Sequence, residues 1–309
     1  MKKVTRISGM LLVALATSMP SLAWSQEAVN GHYDSKNDWF VFDWLNPQTG
    51  QQEAIYDSAN KINPVIHAEV SFDSTGVGTY GYQVTNLKGA VQLLDDISVK
   101  HFSAVFGATS PVPPTDWYST EYQGKGAWSW SKIGGSPRGI SGGHTMSGFS
   151  FRSKGLPTIV DAWFAGKRRA QFRFPSPDDD TEEVQSSFGR VFNSLKAEYP
   201  DKFVDTVHQK TVGPAAPPAS FDASAFIQNL ISLKEQSLAM RWIDNAGIAT
   251  SLDAKLDAAK AKIVAGDNKT AKNILGVFLN EVQAQKGKHL KPEAYALLYY
   301  NGQYLMNHL

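Results

Sequence analysis

The sequence predicts a multidomain chain, an N-terminal all-β, sandwich-like domain followed by a C-terminal all-α helical bundle. Three observations carry that expectation. Between Asn37 and about Phe174, short runs rich in Val, Ile, Tyr, Phe and Trp are broken by Gly, Pro, Asn and Asp, which is the pattern of strands and turns. From Phe226 to Leu309 apolar residues instead recur every three or four positions, so that each run lays one stripe along a helix. Between them Val212-Gly213-Pro214-Ala215-Ala216-Pro217-Pro218-Ala219 has no period and reads as a connection. The expected division is residues 1–25 as a signal peptide, 26–211 as the β domain ending in a short helix, 212–220 as a Pro/Ala linker and 221–309 as the bundle.

The opening residues carry Lys2, Lys3 and Arg6, an apolar run from Met10 to Ala16, and then Pro20-Ser21-Leu22-Ala23, the three-part layout of a secretory leader with cleavage after Ala23 or Ser25. The run is shorter than the ~20 residues that span a bilayer. No later segment is long and apolar enough to do so, so an exported protein, periplasmic or extracellular, with no transmembrane segment after cleavage is expected. The chain has no cysteine, which excludes disulfides, thiolate chemistry and cysteine-held metals. Its 30 basic and 29 acidic residues are nearly balanced, and three of the basic ones fall in the leader. Such a chain lacks the basic face that nucleic acid requires. The compact cluster Gly166-Lys167-Arg168-Arg169 reads as a solvated strand end.

In the β region, Asp38–Leu45 reads as a strand closed by the turn Asn46-Pro47-Gln48-Thr49-Gly50. Val65–Phe72 and Thr79–Asn86 flank a six-residue loop and pair as a hairpin, with Tyr80, Tyr82 and Val84 on the buried face. Further strands are expected at Asp96–Phe102, Ala127–Ser131, Ser147–Ser153 and Val160–Ala165, with a short extended return within Asp201–Thr211. That many short strands point to a sandwich, with a barrel second. The acids Asp178 to Glu183 read as a helix start, with Asp180 capping and Glu183 three residues on, ahead of Val184, Phe188, Phe192 and Leu195. A calcium loop would need alternating ligands and a glycine turn that this run lacks.

The bundle begins with Phe226, Leu230 and Leu233, continues through Ile248, Leu252, Leu256, Ala259 and Ile263, then Ala271, Ile274, Phe278 and Val282, and ends with Ala294, Leu298 and Leu305. Gly266 and Gly287 supply positive-φ stops, Asp267-Asn268 a cap, and Pro292-Glu293 a helix start. These elements describe three or four helices forming a free-standing bundle. Gly247 to Leu256, Ala271-Lys272-Asn273-Ile274-Leu275, Phe278 to Val282 and Gly287-Lys288-His289-Leu290 resemble the FIMAH modules found at the C-termini of exported bacterial proteins. The likeness covers about the last quarter of the chain and departs at Tyr299-Tyr300-Asn301-Gly302, where the family is usually rich in Ala and Leu. It implies export and modularity and brings no catalytic residues. A second likeness, carried by Gly148-Phe149-Ser150-Phe151-Arg152-Ser153 behind Trp117 and Trp128-Ser129-Trp130, is to β-sandwich domains of uncharacterised exported bacterial proteins.

Catalytic motifs do not announce themselves. The seven histidines are scattered with no metal-ligand spacing, and neither a metal nor a cofactor is expected. Ser141-Gly142-Gly143-His144 lacks the strand-to-helix elbow of a nucleophilic serine and reads as a loop between strands. Glu53, Asp73, Asp95, Asp96, Glu121 and Asp161 could supply a carboxylate pair from separate strands, but no spacing selects two of them. The aromatic residues Trp39, Trp44, Trp117, Tyr118, Tyr122, Trp128, Trp130 and Trp163 stand out, with core packing as the competing reading. Trp128 with Trp130 and Phe149 with Phe151 alternate inward, so Trp117, Tyr118 and Tyr122 are the candidate binding residues. The leading functional expectation is a non-enzymatic binding or structural protein acting on a glycan or envelope protein. A secreted polysaccharide hydrolase and a self-associating surface or matrix protein, the latter through a stripe at Tyr295, Tyr299 and Leu309, are the alternatives.

Overall fold

The computed structural model describes residues 27–101, 109, 111–122, 127–132, 139–170 and 172–309. Its first unit is a meander of β1 (Val29–Asp34), β2 (Trp39–Asn46) and β3 (Gly50–Tyr56), paired antiparallel in that order. Asn46 shapes the β2–β3 turn by accepting the N–H groups of Gln48 and Thr49, and Gly50 closes it at a φ of 84°. Helix α1 (Glu182–Glu198) and the 3-10 turn Pro200–Phe203 return from far along the chain to cover this sheet. Phe40, Phe42, Trp44 and Tyr56 meet Phe188 and Phe203 in a core of their own. Gly31 admits the helix, since a Cβ there would run into the Val191 side chain. The cap of α1 is Thr181, whose hydroxyl accepts the Val184 N–H, rather than the expected Asp180. Asp180 is turned inward, where it accepts Trp44 Nε1–H at 2.7 Å and Asn46 Nδ2–H at 2.8 Å.

The second unit is the sandwich. One sheet holds β4 (Pro64–Phe72), β5 (Gly78–Asn86) and β9 (His144–Ser153), in that order. The other runs β11 (Val207–Ala215), β10 (Leu156–Gly166), β6 (Leu94–Lys100), β8 (Ala127–Lys132) and β7 (Trp117–Tyr122). Alternation puts Tyr80, Tyr82, Val84, Phe149 and Phe151 on the inner face of the small sheet, against Ile97, Val99, Trp130, Val160 and Phe164 of the large one. Each such side chain removed from water contributes about 1.5–3 kcal/mol. The buried tyrosines satisfy their hydroxyls across the sandwich, Tyr80 on Gly155 O at 2.7 Å and Tyr82 on Val212 O at 2.9 Å. Strands β1, β3 and β7 were not among those expected. Strand β11 runs on through Val212 to Ala215, paired with β10 along its length, so the first four residues of the expected linker belong to the sheet.

The third unit comprises α2 (Ala223–Ala239), α3 (Ala246–Val264), α4 (Asn268–Gln285) and α5 (Pro292–His308). Asp222, Asn245 and Asp267 cap the first three with side chains accepting from Ala225, Ile248 and Thr270. Gly266 and Gly287 take the positive φ their stops require. The bundle does not stand free. Helix α5 packs on α2 and α4 with one side and on β4, β10 and β11 with the other, and the apolar cores of sandwich and bundle are continuous.

Candidate functional site

Strand β4 is an edge strand, and its outward N–H and C=O groups need partners. Helix α5 provides them with side chains. Glu293 Oε1 accepts the Ala68 N–H at 3.0 Å, and the Tyr300 hydroxyl donates to Val70 O at 3.1 Å. On the other sheet, Asn301 Nδ2–H reaches Pro157 O of β10 at 2.9 Å. The Phe72 and Tyr300 rings pack with centroids 4.6 Å apart. Gly302 lets α4 approach from the opposite side, since a Cβ there would come within 2.9 Å of Leu279 Cδ2. Within the stretch that departs from the Ala- and Leu-rich pattern, Tyr300 and Asn301 therefore dock α5 on the sandwich while Gly302 fits it to α4.

That docking places the start of α5 beside the outer face of the small sheet and creates a groove of about 570 Å³. Its floor is low because Gly81 has no side chain and because Gly148 forms a bulge, at a φ of 100°, where the β5–β9 register shifts. His67, Glu69, Gln83, Ser147 and Ser150 line it from the sheet, and Lys291 with Pro292 from the helix. A second hollow of about 240 Å³ continues past Glu69, Gly81 and Pro292 to Ser71, Thr79, Lys286 and Tyr295. Gln83 Nε2–H donates to Ser147 Oγ at 3.0 Å, fixing one pair of polar groups at the surface. His67 Nδ1 lies 3.1 Å from Glu293 Oε1, and this contact raises the imidazole pKa above its ordinary value against the opposing effect of burial. Burial pushes the Tyr295 phenol up to about 12. The arrangement is a shallow trough of mixed lining, apolar over the larger part of its surface with hydrogen-bonding groups set into it, of a size that holds small ligands or a stretch of polymer.

The aromatic residues expected to bind ligand are not brought together there. Trp117 is 4% exposed and packs edge-on against Phe149 with centroids 5.0 Å apart, so it is core and cannot present its ring to a ligand. Tyr118 is 49% exposed on the outer face of the large sheet, opposite Ser131. Tyr122 ends β7, and its side chain lies outside the described residues, as do those of Glu121 and Trp128. Trp130, Phe149 and Phe151 face inward as alternation requires.

The remaining carboxylates are dispersed. Asp73 holds the β4–β5 turn and pairs with Arg152, Asp161 pairs with Lys210 at 2.6 Å, and Glu53 is on β3. Asp95, raised to about 6 by burial and by its neighbour Asp96, sits on β6 with Asp96, which accepts Ser131 Oγ–H at 2.5 Å. Arg168 and Arg169 are not a solvated strand end. Arg169 grips the buried Asp57 through Nε and Nη2 at 3.0 Å each, and Arg168 meets Asp205 at 2.8 Å. Sequence reasoning missed the groove because its walls come from four separate stretches. Only the outward positions of His67, Glu69 and Gln83 in their alternating strands signalled it.

The fold and groove define a β-sandwich protein carrying a docked helical module. A family model described as FIMAH domain matches residues 227–307, from the first turns of α2 almost to the end of α5. Among solved structures, one described as an uncharacterized protein from Nocardia farcinica with an immunoglobulin-like fold is 14% identical over 38% of this chain and 91% of its own, with a TM-score of 0.27. The search of curated proteins found no match. Among the described residues no helix is long and apolar enough to cross a membrane.

Proposed function

We propose that this is an exported, non-catalytic binding protein that holds a glycan of the cell envelope or its surroundings in the groove between sandwich and bundle. The observation that carries the reading is the groove itself, a trough of about 570 Å³ in which polar side chains of the sheet, and Lys291 from the bundle, are set into a mixed lining. Sugars are bound largely through hydroxyls, and Glu69, Gln83, His67, Ser147 and Ser150 offer acceptors and donors along the groove. Its lining includes one carboxylate, Glu69, whereas glycoside hydrolysis in its usual form uses a facing pair. The basic and apolar opening of the sequence supports export, as does the FIMAH match, since such modules accompany exported bacterial proteins. Self-association through Tyr295, Tyr299 and Leu309 loses its footing, because Tyr295 is buried and the other two are half-buried against the core.

The test is calorimetric titration of the leader-free chain with a panel of bacterial and plant polysaccharides. Gly81→Leu is the blocking variant, because a Cβ there meets only Glu69 O at 3.8 Å and the longer side chain fills the trough. Saturable binding to at least one polysaccharide, lost in Gly81→Leu at unchanged circular dichroism, is the expected result. Absence of binding across the panel removes the glycan reading.

A further inference from the structure

We infer that the ligand is an acidic polysaccharide, a sugar polymer bearing carboxylates, lying across both hollows. This rests on the groove being the ligand site proposed above. Two ammonium groups flank it, Lys291 on the larger hollow and Lys286 on the smaller, and both side chains are exposed. Neither has a carboxylate within ion-pair reach among the described residues. Lys286 is also pre-positioned, its ammonium 4.3 Å from the centre of the Tyr295 ring, so less side-chain freedom is lost when it meets an anion.

The two hollows share Glu69, Gly81 and Pro292, so a ligand touching both lysines passes over Glu69. A carboxylate at that central point repels a simple polyanion but accepts hydrogen bonds from neighbouring ring hydroxyls. The alternation of cation, acceptor and cation therefore matches a chain in which carboxylates and hydroxyl pairs both occur. An acidic peptide offers the first without the second. His67, facing Glu293 and Lys291 from α5 and Glu69 on its own strand, adds positive charge when protonated, while β5 contributes the uncharged Gln83.

The experiment compares polygalacturonate, its fully methyl-esterified form and poly-glutamate as ligands of the leader-free chain by calorimetry, in low and in moderate salt. Polygalacturonate is expected to bind at least tenfold more tightly than the ester and than poly-glutamate, and to weaken as salt rises. The double variant Lys286→Ala/Lys291→Ala is expected to erase that preference, and Glu69→Gln to weaken the acidic and esterified polymers alike. Equal affinity for the acid and the ester, or a preference that survives in the lysine double variant, overturns the acidic class while leaving the glycan reading in place. Equal binding of poly-glutamate overturns the sugar component. Failure of every polysaccharide falls on the function proposed above and takes this inference with it.

Discussion

Helices α3 and α5 belong to one bundle and have 19 and 17 residues, yet they are buried in different ways. In α3 the buried residues are Ala249, Leu252, Leu256, Ala259 and Ile263, a single stripe at steps of three and four. In α5 every residue from Glu293 to Leu298 is buried, and Asn301, Gly302 and Leu305 follow. One helix covers a neighbour on one side, and the other is a wall shared by two cores. A shared wall must carry polar groups that face the second partner's backbone, which is why Glu293, Tyr300 and Asn301 replace the aliphatic residues a plain bundle would use. A buried carboxylate is retained because it satisfies an edge-strand N–H that would otherwise go unpaired.

If α5 serves two cores, truncating it should weaken both. Leu298→Ala is expected to cost about 2–5 kcal/mol and to lower sandwich and bundle together in denaturant unfolding followed by tryptophan emission and circular dichroism. Leu256→Ala, at an equally buried site in α3, is expected to cost a similar amount with the local loosening confined to the bundle in hydrogen exchange. Glu293→Ala removes the acceptor of the Ala68 N–H together with the partner of His67 and is expected to cost about 1–3 kcal/mol, with Glu293→Gln recovering part because it still offers an acceptor to Ala68.

The first unit, with its separate core, serves as a control for this comparison. Burial raises the Asp57 pKa, but the hydrogen bonds from Arg169 and Lys61 outweigh it and hold the carboxyl at about 2. A carboxylate depressed in the folded state stabilises above its unfolded pKa and loses that contribution as pH falls through its folded one. Acid melts should therefore show a loss between about pH 4 and pH 2 that Asp57→Asn removes. His67 runs the other way. Its pKa is raised in the fold by Glu293, so its stabilisation is complete below the ordinary histidine value and fades as pH climbs through the raised one. The effect on docking is expected to be the smallest of these, because the His67 side chain is 43% exposed and water screens the pair. Chemical shifts of His67 in wild type and Glu293→Gln would measure it.

The same contrast explains how far the sequence was readable. The four helices were legible because each lays an apolar stripe that periodicity reports directly, whereas the second buried side of α5 left no such signal. The stops at Gly266 and Gly287 and the cap at Asp267 were legible because positive φ and orphan N–H groups restrict which residues can serve. The inward Tyr80, Tyr82, Phe149 and Phe151 were legible from alternation. Strands β1 and β3 were not, because their small and polar residues, such as Gly31 and Gln51-Gln52-Glu53, owe their strand state to α1 and to β2 pairing rather than to intrinsic preference. The groove escaped for a further reason. Its polar residues look like any solvated strand face until a helix from more than 200 positions away is laid beside them, as the His67–Glu293 contact records.

The account turns on α5 being common to sandwich and bundle, and hydrogen exchange of the full chain in wild type and Glu293→Ala addresses it most directly. The expected result is that amides of β4 and of α5 share one opening free energy in the wild type and fall together in the variant. Exchange in which α5 opens while β4 stays fully protected would contradict it and restore a bundle that merely rests on the sandwich.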